Sequence, residues 1–233
     1  MLLTKEFLNK VNILIIAYFS IAFIEVFAQY FSCSTIVQLS RIAAPLLLAT
    51  IYKIKSESQN PFFYVLMVLF LVTNLLFFYI DTHNFFLAIV ISIIQRMVML
   101  LLIIRLMSEK NYGRIVLAAI PFLFIFYYLN SVTSEFAAIE FNTLFFQSIL
   151  VSFIGGISLA SYLKNDNRQN SWLLISALLF IGIQFVVFIE RYYYSVISLS
   201  VFNLIGILLS SCGYFTFYKF IIAAEKKDTN QYI

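Results

Sequence analysis

The chain has 233 residues, of which 63% are hydrophobic and only 11% are charged, and its mean hydropathy is +0.97. Soluble domains carry about 25% charged residues, so this composition excludes an ordinary water-soluble protein. Because one membrane-spanning helix takes about 20 apolar residues, little of the chain is left for segments outside the bilayer. The composition therefore predicts an all-α fold, a polytopic bundle of transmembrane helices.

Apolar runs separated by polar breaks predict eight spans in chain order. We expect them at residues 11–31, 34–52, 61–80, 85–106, 113–129, 143–163, 171–189 and 194–222. Asn60 before Pro61 predicts a helix N-cap followed by proline in the first turn. Because we find no linker, internal repeat or low-complexity tract, residues 1–233 are expected to form a single integral-membrane domain.

The basic residues predict the orientation of these spans. Short loops rich in lysine and arginine stay in the cytoplasm. On this topology Arg191 alone falls on one side, with four acidic residues, whereas the other side carries Lys5, Lys10, Lys53, Lys55, Arg105, Lys110, Arg114, Lys164, Arg168, Lys219, Lys226 and Lys227. Both termini are therefore expected in the cytoplasm and the protein in the plasma membrane, most simply a bacterial inner membrane. This topology accounts for the charge of +4, so no nucleic-acid partner is predicted.

Motifs of soluble enzymes are nearly absent from the sequence. The single histidine, His83, falls in a short loop, so neither a histidine-based triad nor a histidine-rich metal site is expected in the membrane. Cys33 and Cys212 fall at different depths and are not expected to form a disulfide. The sequence predicts no metal and no other cofactor.

Small residues recur every four positions at Ser152, Gly156 and Ala160. This spacing gives a helix a smooth face along which a neighbouring helix can approach closely. We therefore interpret these residues as a packing surface and not as a nucleophile motif.

Six polar or ionisable side chains fall well inside the predicted spans: Glu25, Arg41, Asn74, Gln95, Arg96 and Gln184. Such groups are costly in a bilayer, so they usually pair, face the protein interior or line a water-filled cavity. At a rise of 1.5 Å per residue, Glu25 and Arg41 lie about 9 and 10 Å from the outer ends of their helices, which predicts an ion pair. One polar chamber would accommodate all six side chains. Alternatively, Glu25 and Arg41 form a structural ion pair, and the amides make separate hydrogen bonds between helices.

Arg96 has no acidic residue at its depth in any other predicted span. At the same rise it lies roughly 16 Å inside, too deep for its guanidinium to reach the membrane surface. The groups that could compensate it are helix carbonyls, amides such as Asn74 and Gln184, water in a cavity, or the anionic group of a ligand.

Five segments of the chain occur in the order and spacing of one known family. Arg41-Ile-Ala-Ala-Pro-Leu-Leu-Leu48 is similar to a Lys-Pro-Leu segment, and 71–76 to a segment with a Gly-Asp pair. Residues 85–99 resemble a phenylalanine-rich helix with an internal histidine, 177–185 an Ala-Leu-Leu-Phe segment ending in Ser-Asp, and 213–222 a closing tyrosine-rich helix. The sequence thus resembles the YhhN, or lysoplasmalogenase, family of eight-span membrane proteins.

The chain departs from that family at its titratable positions. Asn74 stands for the aspartate of Gly-Asp, Gln95 or Arg96 for the histidine, and Gln184 for the aspartate of Ser-Asp. The resemblance implies hydrolysis of the vinyl ether bond of lysoplasmalogen, which requires a proton donor and an activated water. Asparagine and glutamine supply neither. The resemblance therefore implies a retained lipid pocket, with Arg41, Asn74, Gln95, Arg96 and Gln184 as its binding residues.

Three functions remain open at this point. An active hydrolase would need a relocated acid, for which Glu25 is the best candidate because a low-dielectric site would keep its carboxyl protonated. A non-catalytic lipid sensor would bind a lysolipid-type amphiphile, with Arg41 or Arg96 holding a phosphate. A small secondary transporter would use Pro45 and Pro121 to kink its helices. The expected partner is a membrane lipid or lysolipid, and the sequence names no protein partner.

Overall fold

The computed structural model describes residues 2–78, 82–107, 111–132, 138–192 and 199–231, and the side chains of 10–78, 86–107, 111–131, 142–189 and 201–226. Within these ranges the chain forms eight α-helices and no strand. They are α1 (Leu2–Tyr30), α2 (Ser34–Lys55), α3 (Pro61–Phe78), α4 (Thr82–Leu106), α5 (Tyr112–Val132), α6 (Ala138–Lys164), α7 (Arg168–Tyr192) and α8 (Leu199–Gln231).

Each of the eight helices contains a segment long and apolar enough to cross a membrane. The chain is therefore a multi-pass, all-α membrane protein, as the composition predicts. The spans agree with the expected ones to within a few residues, except that the last begins at Val201. Its expected start at residue 194 lies outside the described residues.

The turn between α1 and α2 is short and determines how these two helices align. The amide of Cys33 donates to the carbonyl of Ala28 at 2.8 Å, and that of Phe31 to the carbonyl of Phe27 at 2.9 Å. Ser32 has a φ of 57°, the left-handed conformation that commonly terminates a helix. The chain reverses within three residues, so positions equally far from the turn lie side by side.

The start of α3 has the cap that the sequence predicts. The backbone amide of Phe62 donates to Asn60 Oδ1 at 3.0 Å, which satisfies one of the free amides of the first turn. Pro61 occupies the first helical position, where the absence of an amide hydrogen costs nothing. This confirms the predicted N-cap.

Helix α8 closes the bundle, because it packs against α1, α2, α4 and α7, whereas α5 packs mainly against α6 at the periphery. The hydroxyl of Tyr18 on α1 donates to the backbone carbonyl of Ser211 on α8 at 2.9 Å. The largest fully buried side chains are aromatic, among them Tyr18, Tyr52, Tyr218, Phe63, Phe180 and Phe217.

The predicted small-residue surface is the contact between α5 and α6. A β-carbon placed on Gly156 would lie 2.6 Å from the Cβ of Ala119 and 2.8 Å from its backbone nitrogen. Backbone cannot move aside as a flexible side chain can, so α5 reaches α6 this closely only because residue 156 is glycine. The packing interpretation is confirmed. Cys33 and Cys212 are both free, also as predicted.

Basic residues gather at one end of the bundle. Helices α2, α4 and α6 finish there, with Lys53, Lys55, Arg105 and Lys164 in their last turns. The last turns of α1, α3 and α5, at the opposite end, carry none. The helix dipole favours cations at every C-terminus and so does not explain the difference. We call the two ends the basic end and the distal end; that the basic end faces the cytoplasm remains a prediction.

Candidate functional site

The first buried charges form an ion pair between α1 and α2. Arg41 Nε donates to Glu25 Oε1 at 3.0 Å, and the two residues are only 9% and 7% exposed. Both lie a few turns from the tight turn that joins their helices, which places them at matching depth. The pairing predicted from their helical positions is confirmed.

Helix α3 contributes further contacts to Arg41. Asn74 Nδ2 donates to the backbone carbonyl of Arg41 at 3.4 Å, and the Phe78 ring lies 5.8 Å from the guanidinium carbon of Arg41. We call Glu25, Arg41 and Asn74 the paired cluster. Its charges compensate one another, so it needs no ligand.

The ion pair with Arg41 opposes a role of Glu25 as a catalytic acid. The oxygen that contacts Arg41 acts as a hydrogen-bond acceptor. Transferring a proton through this carboxyl would remove the charge partner of a buried guanidinium, which is costly in a low-dielectric environment. The role of general acid therefore competes with the structural role that the contacts assign to Glu25.

Arg96 on α4 has a different environment. It is 5% exposed, so it does not extend to the membrane surface. Its guanidinium carbon lies 4.1 Å from the centre of the Phe180 ring, and its Nη1 contacts the sulfur of Met99 at 3.9 Å. Its Nε has no hydrogen-bond partner, and no carboxylate in the described part of the chain is within ion-pair distance.

Aromatic rings from three other helices surround this guanidinium. The Gln95 side chain faces the hydroxyl of Tyr214 on α8, and the Arg96 charge acts on the same hydroxyl. The Tyr214 ring stacks on Phe70 of α3 at 3.7 Å and meets Phe180 of α7 edge-on at 5.2 Å. We call Gln95, Arg96, Phe180 and Tyr214 the Arg96 cluster.

Two buried donors of the Arg96 cluster, Arg96 Nε and Gln95 Nε2, have no acceptor within hydrogen-bond geometry. The Gln95 amide faces the Tyr214 hydroxyl, and on α3 the hydroxyls of Thr73 and Tyr64 are also buried without a partner. Thr73 lies one turn along α3 from Phe70, which stacks on Tyr214. Buried polar groups are almost always hydrogen-bonded, so donors left without acceptors call for an explanation. Chemically, this region can receive an anion or another acceptor-rich group.

Asn74 and Gln184, two of the groups that could compensate Arg96, make their hydrogen bonds elsewhere. The amide nitrogen of Asn74 serves the Arg41 carbonyl, and that of Gln184 donates to Ser148 Oγ on α6 at 3.3 Å. Helix α3 directs Asn74 toward α2, whereas Gln184 lies one helical turn along α7 from Phe180, the residue that faces Arg96. The six predicted residues therefore divide among the paired cluster, the Arg96 cluster and the Gln184–Ser148 contact.

Near the basic end, sequence analysis missed Glu225. Its two carboxylate oxygens accept hydrogen bonds from Tyr52 at 2.5 Å and from Ser56 at 2.8 Å. The Tyr52 hydroxyl in turn accepts from the amide of Asn60, and Ser56 Oγ from the amide of Gln59. An acidic residue directly after a long apolar run was the available signal. The carboxylate holds the α2–α3 connection onto α8.

Two cavities lie outside these clusters. One, of about 240 Å³, is at the basic end and is lined by Lys55, Glu57, Ser58, Ile222, Glu225 and Lys226. The other, of about 290 Å³, lies between α5 and α6 and is lined by Leu123, Phe126, Tyr127, Phe145, Ser148, Ile149 and Phe153. We call the second the α5–α6 groove.

Together, the fold and these contacts define a multi-pass helical membrane protein in whose described part Arg41 is a compensated and Arg96 an uncompensated buried arginine. Comparison with protein-family models, with curated proteins and with solved structures finds no match to this chain. Within the described residues, no group of three or more potential metal-ligating side chains occurs. The chemistry of the clusters is therefore the guide to function.

Proposed function

We propose that this protein is a lysoplasmalogenase-like, YhhN-type membrane protein that binds a phosphate-bearing amphiphile of the lysolipid class at the Arg96 cluster. The observation that carries the proposal is the buried Arg96 guanidinium, whose Nε has no acceptor and which has no carboxylate partner among the described side chains. The ligand supplies the missing negative charge.

The energetics favour an anion from outside the chain. Burying an unpaired charge costs several kcal/mol, even after the surroundings relax. A cation–π contact such as that of Arg96 with Phe180 returns about 2 kcal/mol when desolvated. The Met99 sulfur is only a weak acceptor. Since the local contacts do not offset the cost, a bound anion is the simplest source of the remaining stabilisation.

The donors suit a phosphate group. A guanidinium offers its Nε and Nη hydrogens side by side, a geometry that matches two oxygens of a phosphate. Gln95 Nε2, on the residue that precedes Arg96, is a further buried donor of the cluster. The hydrocarbon chain of such an amphiphile needs only apolar surroundings, which the membrane-spanning helices provide.

Binding without hydrolysis is the form of this proposal that the contacts support. Hydrolysis of a vinyl ether needs a proton donor beside the bound ligand. Glu25, the best candidate, is engaged by Arg41, and its contacts are with the paired cluster. Release of a long-chain aldehyde from lysoplasmalogen by the purified protein would instead establish the hydrolase.

Mass spectrometry of lipids that copurify with the protein tests the proposal. We expect the unaltered protein to retain a phosphate-bearing lysolipid and Arg96→Gln to lose it by at least tenfold. Arg105→Gln is the matched control, because Arg105 lies exposed in the last turn of the same helix. Added lysophosphatidylethanolamine should bind, whereas an uncharged monoacylglycerol should not. Equal retention by Arg96→Gln would refute the assignment.

A further inference from the structure

Helix α2 contains a proline, Pro45, in its interior. Proline has no amide hydrogen, so the carbonyl of the residue four positions earlier loses its donor within the helix. In α2 that residue is Arg41. The same carbonyl accepts a hydrogen bond from Asn74 Nδ2 of α3 at 3.4 Å. A side chain of the neighbouring helix therefore replaces the backbone donor that Pro45 removes, which is one way in which membrane helices tolerate proline.

A second backbone carbonyl of α2 is shared with a side chain, directly after the proline. Thr50 Oγ1 donates to the carbonyl of Leu46 at 2.8 Å. A hydroxyl that bonds back to the carbonyl four residues earlier competes with the backbone amide, and it often bends the helix. Sharp bends in helices occur almost always at proline or where a side chain enters the backbone hydrogen bonds. Both features occur together in this part of α2.

The two halves of α2 on either side of Pro45 are held in the bundle differently. On the basic side, the fully buried core residues are Leu48, Ile51 and Tyr52. On the distal side, the buried residues are Val37, Ser40, Arg41 and Ala44. Apart from the arginine these are small side chains, which bury little apolar surface. The distal half is therefore held largely by the polar contacts of Arg41 with α1 and α3.

From these contacts we infer that α2 has a hinge at Pro45 and that the hydrogen bond from Asn74 to the Arg41 carbonyl holds this hinge closed. When the bond opens, residues 34–44 move away from α3, while residues 46–55 stay packed in the core. The inference concerns the movement of α2 and is independent of what binds at the Arg96 cluster. It gives Asn74 a role that exists only because residue 45 is proline, since any other residue there would donate its own amide to the Arg41 carbonyl.

Distances between two spin labels at the distal end test the hinge. One label is attached to Cys33, an exposed free thiol in the turn before α2, in a Cys212→Ser background. The other is attached at position 131 after Ser131→Cys, at the exposed distal end of α5. We expect Asn74→Leu to widen the distribution of distances between the labels about twofold or more, because the distal half of α2 is then no longer held to α3.

Pro45→Ala turns this measurement into a double-mutant cycle. Alanine restores the amide that donates to the Arg41 carbonyl, so Asn74→Leu should leave the distribution unchanged in a Pro45→Ala background. Equal widening in both backgrounds, or no widening in either, overturns the hinge. If Asn74→Leu alone fails to fold, recovery of folding by Pro45→Ala supports the hinge, and failure in both backgrounds contradicts it.

Two controls separate a hinge from general loosening of the bundle. Gln184→Leu removes another amide between helices, which bonds to Ser148 and not to α2, and should leave the distances at the distal end unchanged. Labels attached after Lys53→Cys and Asn165→Cys, both exposed at the basic end, should keep their distance distribution in Asn74→Leu, because that half of α2 stays in the core. Widening in either control contradicts a hinge at Pro45.

Discussion

Arg41 and Arg96 are both buried in the membrane-spanning part of the bundle, each beside an aromatic ring, but only Arg41 has a carboxylate partner among the described residues. Arg41 contacts a carboxylate at 3.0 Å and has its backbone carbonyl hydrogen-bonded by Asn74. Arg96 contacts an aromatic face and a sulfur, and keeps one donor without an acceptor. Burial of a charge is thus not in itself a sign of function. The informative feature is whether the protein compensates that charge.

The difference follows from how the helices are connected. Arg41 lies across a tight turn from Glu25, so the chain itself delivers a partner at the right depth. Arg96 lies on α4, between helices that present Phe70, Phe180 and Tyr214. Aromatic rings exclude water and attract a cation weakly, and they leave the guanidinium edge available.

The largest expected effect is at the paired cluster. Glu25→Gln should lower the free energy of unfolding in detergent by about 3 to 5 kcal/mol, because it leaves the Arg41 charge buried and alone. Adding Arg41→Met to this variant should restore much of the loss, since no uncompensated charge then remains. Denaturant unfolding followed by tryptophan fluorescence or circular dichroism measures both values.

Glu57→Gln is the control for this cycle, because Glu57 is exposed on the α2–α3 connection and its loss should change stability little. If the losses of the two single variants at Glu25 and Arg41 simply add, the residues are not coupled. Glu25 would then not compensate Arg41, and the contrast between Arg41 and Arg96 would no longer hold.

An intermediate effect is expected at Glu225, where a carboxylate is held by hydroxyl groups. Tyr52→Phe removes a donor to Glu225 and an acceptor for the Asn60 amide, so it should cost about 1 to 3 kcal/mol of stability. Hydrogen exchange at the α2–α3 connection should also accelerate. Tyr162→Phe serves as control, since that hydroxyl makes no hydrogen bond within the described ranges. Equal losses in both variants would contradict the assignment.

Much of the fold could be predicted from the sequence, because the bilayer imposes simple requirements on length and polarity. The eight helices, the cap at Asn60 and the close approach at Gly156 all follow from local patterns. The Glu25–Arg41 pair follows as well, since a short turn converts position along the chain into depth. In each case the information lies within one helix or one hairpin.

The environment of Arg96 and the role of Glu225 could not be predicted in this way. Depth places a residue along the bundle axis, but the rotation of its helix determines what it faces. For this reason the amide of Asn74 does not serve Arg96: α3 directs it to the Arg41 carbonyl instead. Glu225 meets Tyr52 across 173 residues of chain, a contact that hydropathy does not encode.

The smallest effect on stability is expected at Arg96 itself, and it provides the sharpest test of the comparison. In lipid-free protein, Arg96→Met replaces a buried unpaired charge by an apolar side chain of similar length. The variant loses a cation–π contact of about 2 kcal/mol but no longer buries an uncompensated charge, which costs several kcal/mol. Its melting temperature should therefore equal or exceed that of the unaltered protein. Added lysophosphatidylethanolamine should raise the melting temperature of the unaltered protein only, because a ligand stabilises the state that binds it. A loss as large as that of Glu25→Gln, without any response of the parent to lysolipid, would make Arg96 a structural residue and end the proposal of a ligand site there.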